Sequence, residues 1–283
     1  MEYINFNGKQ LVAETAIISA NNRGLRFGDG LFETMKSING QVQFLDEHFA
    51  RLWNGLHCLR FTIPKHFTPD QLQDEITGLL KKNGHRQLAR IRLTVFRGDG
   101  GLYDELNHKP NYIIQTWALP ETNGDWNSNG LVLGIYTDVK KSCDILSNIK
   151  HNNFLPYAMA AMHAKAQKWN DALLLNTEDR LCDTTIANIF IIKDGLVYTP
   201  PLVDGCIAGV MRKNIIRLLH VHDFKFTETG LTTEDLLNAD EVFLTNSIYN
   251  LRWVQLIGDK KYTNILSQKI YARCFQQNPD MAV

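Results

Sequence analysis

The chain has 283 residues, of which 44% are hydrophobic and 21% are charged, so it can bury an ample core without disulfides or metals. Thirty basic side chains balance thirty acidic ones. This neutral balance argues against nonspecific binding to nucleic acid or to an anionic membrane surface, because both need a cationic field.

The N-terminal residues 1–5 lack a basic run followed by an apolar stretch, so we expect no signal peptide. No apolar run approaches the roughly 20 residues that span a bilayer. The five cysteines are an odd number without a Cys-x-x-Cys pair, which favours reduced thiols and a cytoplasmic location. The spacing of the nine histidines does not favour a zinc site, and we expect no bound metal.

In chain order, the first part of the sequence predicts short strands, hairpins and two helices. Asn7-Gly8 and Asn39-Gly40 are turn signals that close two strands. Apolar residues recur at helical spacing over 45–59, and Thr68 with Pro69 begins a second helix that Asn83-Gly84 ends. The predicted elements are strands at 3–6, 32–38, 89–95 and 111–119 and helices at 45–59 and 69–83.

The composition changes at 120–130, where the run PETNGDWNSNG is polar and rich in Asn and Gly. We interpret this run as an interdomain linker between an N-terminal domain, 1–119, and a C-terminal domain, 131–283. Strands and helices are mixed in both halves, which predicts an α/β or α+β fold. The predicted elements of the second half are strands at 131–137, 172–175, 187–192, 224–227 and 241–245 and helices at 155–168, 209–219 and 263–275.

Three segments have residue types that suit a ligand. The run 97–101, RGDGG, ends a strand and is either an anion-binding turn or an ordinary wide turn. The run 205–212, GCIAGVMR, leads into a helix whose first N–H groups and dipole suit a phosphate. Lys150 has no acidic neighbour in sequence, so it is either a solvated side chain or a buried amine capable of forming a Schiff base. Local spacing leaves each of these alternatives open.

Five features, in this order along the chain, resemble the class IV aminotransferases, the pyridoxal-phosphate enzymes of fold type IV. They are 22–34 (NRGLRFGDGLFET), 44–52 (FLDEHFARL), Lys150, 188–190 (NIF) and 209–212 (GVMR). The resemblance covers almost the whole chain. It implies a two-domain α/β (α+β) fold, with a smaller N-terminal domain and a larger C-terminal pseudo-barrel domain. It also implies pyridoxal 5'-phosphate as the cofactor, a small carboxylate substrate and a homodimer.

The resemblance implies roles for particular residues. Lys150 falls at the Schiff-base lysine, which is also the catalytic base. Asp183 lies five residues before Asn188, where the family has Glu, and would pair with the pyridine nitrogen of the cofactor. Ile207 resembles the aliphatic residue that packs on the ring. The residues that would hold the phosphate are Arg51, Ser247 and the N–H groups of Val210 and Met211.

Within the family, the run KHNN at 150–153 resembles the Lys-His-x-Asn of the 4-amino-4-deoxychorismate lyases. Leu155 stands where branched-chain enzymes have Tyr. The run 246–254 also resembles the lyases, although it departs at Asn250 and Trp253. Leu102 stands where the lyases have Arg, and that loss counts against the D-amino-acid enzymes too. The candidates for binding substrate carboxylates are Arg97, Arg92, Arg26 and Arg252.

The resemblance therefore favours a lyase that converts 4-amino-4-deoxychorismate into 4-aminobenzoate and pyruvate, a step of folate biosynthesis. An aminotransferase acting on branched-chain or D-amino acids is the alternative within the family. A cofactor-binding protein without turnover is the alternative from another class.

Overall fold

The computed structural model describes residues 1–104 and 108–276 and divides the chain into two compact units. Unit 1 comprises Met1–Asn123 and Ile149–Phe154, and unit 2 comprises Gly124–Asn148 and Leu155–Val283. The first boundary falls inside the predicted linker. The short segment Ile149–Phe154 clusters with unit 1, whereas the sequence-based division placed it in the C-terminal domain.

Unit 1 contains an antiparallel sheet whose strands are β1 (Tyr3–Phe6), β2 (Lys9–Val12), β3 (Gly30–Ile38), β4 (Gln41–Val42), β5 (Leu88–Phe96) and β6 (Asn111–Ala118). Their order in the sheet is β2-β1-β6-β5-β3-β4. Residues of β5 alternate between buried apolar side chains and partly exposed ones, as the period of two in its sequence predicts. The strand thus presents one face to a core and a more polar face away from it.

The helices of unit 1 are α1 (Arg23–Phe27), α2 (Leu45–Cys58) and α3 (Pro69–Asn83). The bounds of α2 and α3 confirm the prediction closely. The Thr68 hydroxyl accepts a hydrogen bond from the Gln71 N–H at 3.2 Å and caps α3, which ends at Gly84 with a left-handed φ of 75°. Apolar side chains of α2 and α3, among them Leu52 and Ile76, form one core with the sheet.

The segment Ile149–Phe154 joins unit 1 because it adds to the edge of β3. The Phe32 N–H donates to the Lys150 carbonyl at 2.8 Å, and the Asn152 N–H donates to the Gly30 carbonyl at 2.8 Å. Leu31 and His151 form an antiparallel bridge between these two bonds. The main chain of Lys150 is therefore hydrogen-bonded to strand β3 of unit 1.

Unit 2 contains a nine-stranded sheet made of β7 (Leu131–Lys141), β8 (Asp171–Asn176), β9 (Leu181–Thr184), β10 (Asn188–Lys193), β11 (Leu196–Thr199), β12 (Phe226–Glu228), β13 (Glu241–Asn246), β14 (Asn250–Ile257) and β15 (Lys260–Lys261). The path β10-β13-β14-β7-β8-β9 returns to its start, because β9 also pairs with β10 at Asp183 and Asn188. Six strands therefore form a closed ring, which is the barrel that the family resemblance implies.

The helices of unit 2 are α4 (Leu155–Ala166), α5 (Val210–Val221), α6 (Thr233–Leu237) and α7 (Ile265–Tyr271). A second apolar core, with Leu173, Ile189 and Val242 among its members, lies on the strands of the ring. The second half of the predicted linker packs on this unit, because the Trp253 indole donates to the Asn127 carbonyl at 2.6 Å. Within the part of the chain that the structure describes, no helix combines the length and hydropathy of a membrane span.

Candidate cofactor and active-site residues

Lys150 lies between aromatic rings of unit 1. Its Nζ is 4.7 Å from the centre of the Phe32 ring and 5.2 Å from that of Phe154. The two rings contact each other edge to face, with centroids 5.3 Å apart. Phe32 is held by the backbone bond to Lys150 itself, so the amine is anchored at its main chain and its tip is confined by rings. Such confinement orients a nucleophilic amine.

A buried acid that the sequence analysis did not single out holds Arg51. The Glu33 carboxylate accepts hydrogen bonds from Arg51 Nε at 2.8 Å and Arg51 Nη2 at 2.6 Å, and it contacts His48 Nδ1 at 2.7 Å. Burial alone would raise the pKa of Glu33, but the charge of Arg51 and the hydrogen bonds of His48 and Arg51 lower it to about 2. Burial lowers the pKa of His48. The carboxylate thus fixes the orientation of the Arg51 guanidinium.

Asp183 lies in unit 2 on β9, at the closing pair of the ring, and is 2% exposed. Its Oδ2 accepts from the Ile207 N–H at 2.9 Å, from the Tyr157 hydroxyl at 3.1 Å and from Lys141 Nζ at 3.2 Å. The same hydroxyl and ammonium lie farther from Oδ1, at 3.3 and 3.5 Å. A carboxylate with three donors on one oxygen is a fully compensated buried charge, so Asp183 is more than a solvated turn acid.

Lys141 and Tyr157 reach Asp183 from two other elements. The predicted strand 131–137 continues to Lys141, and its pairing with β8 shifts register between Tyr136 and Lys141, where the strand bulges. Tyr157 is a buried residue of α4, and burial together with Asp183 raises the pKa of its phenol well above 10. The phenol therefore stays protonated and remains a hydrogen-bond donor.

The segment before α5 is shaped by two asparagine side chains. Asn188 Nδ2 donates to the Ile207 carbonyl at 2.9 Å, and Asn148 Nδ2 donates to the Cys206 carbonyl at 2.7 Å. Gly209 precedes the helix, and a Cβ there would lie only 1.9 Å from Asn188 Oδ1, so the close approach requires glycine.

The start of α5 is suited to an anion. The N–H groups of Val210 and Met211, in the first turn, have no intrahelical partner, and among the described residues no side chain caps this helix start. Ser247 lies in the turn between β13 and β14, whose shape is set by the Asn246 side chain as it accepts from the N–H groups of Ile248 and Tyr249. Backbone donors at a helix start favour a phosphate.

The four candidate arginines occupy different surroundings, and Arg92 is the one that shares a ring with Lys150. Its guanidinium lies 3.9 Å from the centre of the Phe32 ring, and its Nε donates to Thr94 Oγ1 at 3.2 Å. Burial and the neighbouring Arg90 lower the pKa of Arg92. A partly desolvated guanidinium of this kind favours an anionic ligand.

The other three arginines already have protein partners. Arg97 is buried, with Nη1 on the Asp29 carboxylate at 2.5 Å and Nη2 on the Leu59 carbonyl. Arg26 donates to the Gly100 carbonyl at 3.3 Å. Arg252 stacks on Tyr249 at 3.9 Å beside a cavity of about 160 Å³. The Arg97 side chain is therefore held by the fold, whereas that of Arg26 is exposed.

The described residues contain no group of three His, Cys, Asp or Glu side chains that could hold a metal. Cys182, Cys206 and Cys274 are buried, and burial raises the pKa of each thiol, to about 12 for Cys206 and Cys274. These cysteines behave as small apolar side chains.

Residues 30–257 match the family model of the class IV amino-transferases, and the chain belongs to that family. It is 31% identical over 247 residues to a Methanocaldococcus jannaschii chain assigned to the branched-chain-amino-acid aminotransferases, covering 86% of this chain and 84% of the other. It is 30% identical over 233 residues to an aminodeoxychorismate lyase of Vibrio harveyi, covering 82% and 84%.

The fold agrees with these relatives. The T.th. branched-chain amino acid aminotransferase, solved with pyridoxamine 5'-phosphate, superimposes with a TM-score of 0.83, covering 95% of this chain and 91% of that chain at 23% identity. The prediction of fold type IV is thereby confirmed. Sequence identity does not distinguish lyase from aminotransferase activity, because relatives assigned to each match this chain almost equally well.

Pyridoxal 5'-phosphate is the cofactor of this class, and the residues present fit it. In unit 2, helix α5 begins without a side-chain cap and follows a glycine where a side chain would collide, and this helix start suits a phosphate. The buried anionic Asp183 of the same unit suits a protonated ring nitrogen. Unit 1 has an oriented lysine amine, Lys150. These residues were candidates from the sequence and remain so, whereas Glu33, His48, Lys141 and Tyr157 were not singled out from the sequence.

Proposed function

We propose that the protein is a pyridoxal-phosphate-dependent lyase that converts 4-amino-4-deoxychorismate into 4-aminobenzoate and pyruvate. The observation that carries the proposal is the 3.2 Å contact between Asp183 and the ammonium of Lys141. A carboxylate that already neutralises a lysine gives weaker support to a positive charge on the ring nitrogen. Formation of an aromatic product drives the lyase step, so this reaction tolerates such an acid better than transamination does.

When bound, pyridoxal 5'-phosphate supplies the electron sink. Lys150 Nζ acts as the general base that removes the proton from C4 of the substrate. Phe32 and Phe154 hold the amine in place and limit its access to water. As the C4–H electrons form a ring double bond, the ether C–O bond at C3 breaks and the ring becomes aromatic. The enolpyruvate that leaves takes up a proton and becomes pyruvate.

The remaining residues bind the cofactor in this proposal. Asp183 presents its negative charge to the ring nitrogen, and Ile207 packs on the ring. The phosphate is held at the start of α5 and by side chains whose orientation the fold fixes. The proposed phosphate contacts are the Val210 and Met211 N–H groups, Ser247 and Arg51.

We assign the substrate carboxylates first to Arg92, since it contacts the same ring as Lys150. Arg97 would have to exchange its bond to Asp29 for the substrate, which makes it a weaker assignment. Arg26 and Arg252 complete the set of proposed contacts. We also propose that the protein is a homodimer and that it is cytoplasmic. Light scattering on the purified protein tests the oligomeric state.

Transamination of a branched-chain or D-amino acid is the second candidate, favoured by the 31% identity to a chain assigned to the branched-chain aminotransferases. Leu155 supports the lyase instead. The resemblance places Tyr at this position in the branched-chain enzymes, and here it is an apolar side chain that is 65% exposed at the start of α4.

One experiment separates the candidates. The purified protein, loaded with pyridoxal 5'-phosphate, is given 4-amino-4-deoxychorismate, and 4-aminobenzoate and pyruvate are measured. In parallel it is given L-leucine or D-alanine without an acceptor. A lyase releases both products in the first reaction, whereas an aminotransferase releases about one equivalent of 2-oxo acid per site in the second. Neither product, from a protein that still links the cofactor to Lys150, would indicate binding without turnover.

A further inference from the structure

Three segments of unit 2 bring donors to one carboxylate, which lies on a fourth. Asp183 lies on β9, Lys141 at the bulged end of β7, Tyr157 on α4 and Ile207 in the turn before α5. All three donors approach Oδ2 at 2.9 to 3.2 Å, whereas the hydroxyl and the ammonium lie 3.3 and 3.5 Å from Oδ1. The carboxylate is therefore held in one orientation, with its two oxygens in different surroundings.

Tyr157 is central to this arrangement because it contacts both of the charged groups. Its hydroxyl donates to Asp183, and its ring lies 4.8 Å from Lys141 Nζ, within the range of a cation–π contact. The side chain is only 5% exposed. Without the hydroxyl, Asp183 would lose one of its two side-chain donors, and the Lys141 ammonium and the Ile207 N–H would remain to orient it.

We infer that Tyr157 is a positioning residue that, together with Lys141, holds Asp183 so that Oδ1 is the oxygen presented to the pyridine nitrogen. The inference rests on the proposed cofactor. It extends the proposed function to a residue whose hydroxyl acts through the acid and does not itself bind the phosphate or the substrate. The role depends on a nitrogen in the ring, and this dependence gives a sharp test.

The test compares two probes, pyridoxal 5'-phosphate and its 1-deaza analogue, in which carbon replaces the ring nitrogen. Apoprotein is titrated with each probe, and tryptophan fluorescence reports the affinity. Tyr157→Phe keeps the ring and removes the hydroxyl. We expect its affinity for pyridoxal 5'-phosphate to fall about tenfold, in keeping with the loss of a hydrogen bond to a charged group, while its affinity for the analogue stays unchanged.

Tyr262→Phe is the matched control. The Tyr262 hydroxyl also makes a buried hydrogen bond, to the Leu236 carbonyl at 2.9 Å, within the apolar core of the ring. Its removal should leave the ratio of the two affinities as in the wild type. Circular dichroism checks that both variants are folded. In an Asp183→Asn background, Tyr157→Phe should have no further effect on that ratio.

An equal loss of affinity for both probes in Tyr157→Phe, or no loss for either, would overturn the inference and leave the proposed function intact. The same holds if Tyr157→Phe still changes the ratio in the Asp183→Asn background. Wild-type apoprotein that binds neither probe, and that forms no borohydride-stable adduct at Lys150, would overturn both the inference and the proposed function.

Discussion

Lys150 is the residue on which the proposed chemistry depends. Lys150→Ala should remove the borohydride-stable cofactor adduct and the turnover while leaving the fold intact, because its main-chain bonds to β3 remain. Mass spectrometry of the reduced protein measures the adduct directly. Lys193→Ala, at an exposed position at the end of β10, is the control and should retain both properties. An adduct that persists in Lys150→Ala would place the linkage on another lysine.

Glu33 predicts an acid-sensitive contribution to stability. Its pKa in the folded chain is about 2, below the ordinary value of 4.5, so its contribution is complete above pH 4.5 and is lost as the pH falls toward 2. The shift corresponds to roughly 3 kcal/mol at neutral pH. Urea unfolding across this range should show a flatter pH dependence in Glu33→Gln than in the wild type.

At neutral pH, Glu33→Gln should also lower the free energy of unfolding by about 3 kcal/mol, because Arg51 then loses its buried counter-charge. Glu178→Gln, at a mostly exposed acid, is the control and should change neither the free energy of unfolding nor its pH dependence. An unchanged pH slope in Glu33→Gln would mean that another carboxylate dominates the acid transition.

The residues that the sequence analysis missed share a physical cause. Glu33 and His48 are 15 residues apart and meet only when α2 packs on β3. Lys141 and Asp183 are 42 residues apart and meet only when the strand ring of unit 2 forms. Tyr157 carried a weak signal, since it repeats with Ala160 and Ala164 on the buried face of α4. That pattern predicts burial but gives no partner for the hydroxyl.

At the scale of single elements, the start of α5 depends on Gly209. Gly209→Ala would place a Cβ 1.9 Å from Asn188 Oδ1, so the asparagine or the helix start must move. We expect the affinity for pyridoxal 5'-phosphate to fall at least tenfold, since the N–H groups lose their alignment, while the affinity for pyridoxal, which has no phosphate, changes little.

Gly78→Ala is the control for this change. Gly78 is inside α3, and a Cβ there would meet only the tip of Gln10 at 3.5 Å. It should stabilise the protein by about 0.5–1 kcal/mol and leave both affinities unchanged. Equal losses of affinity for pyridoxal and for pyridoxal 5'-phosphate in Gly209→Ala would show that the start of α5 does not bind the phosphate.

Helices α2 and α3, which have clear local signals, were predicted well, whereas several short strands defined by pairing were not predicted. Thr68 and Gly84 mark both ends of α3 in the sequence itself. Strands β9 and β11 have four residues each and no long alternation, so their existence depends on neighbours in the ring. The bulge that carries β7 to Lys141 is likewise a product of pairing with β8.

For the whole molecule, binding of pyridoxal 5'-phosphate should stabilise the folded state. At a hundredfold excess over its dissociation constant the gain is about 2.7 kcal/mol, which shifts the melting temperature by several degrees. Differential scanning calorimetry with and without the cofactor measures the shift. Lys150→Ala should show a smaller shift than the wild type, because the covalent link is lost; equal shifts would indicate that affinity comes from noncovalent contacts alone.

The placement of Ile149–Phe154 limits how the protein can be divided into fragments. The chain passes from one unit to the other three times, after Asn123, after Asn148 and after Phe154. A fragment that stops at Asn123 lacks the segment that bonds to the edge of β3. A fragment that starts at Gly124 separates Lys150 from Phe32. No single cut yields either unit whole, so split versions of this protein need a circularly permuted chain or a transplanted six-residue segment.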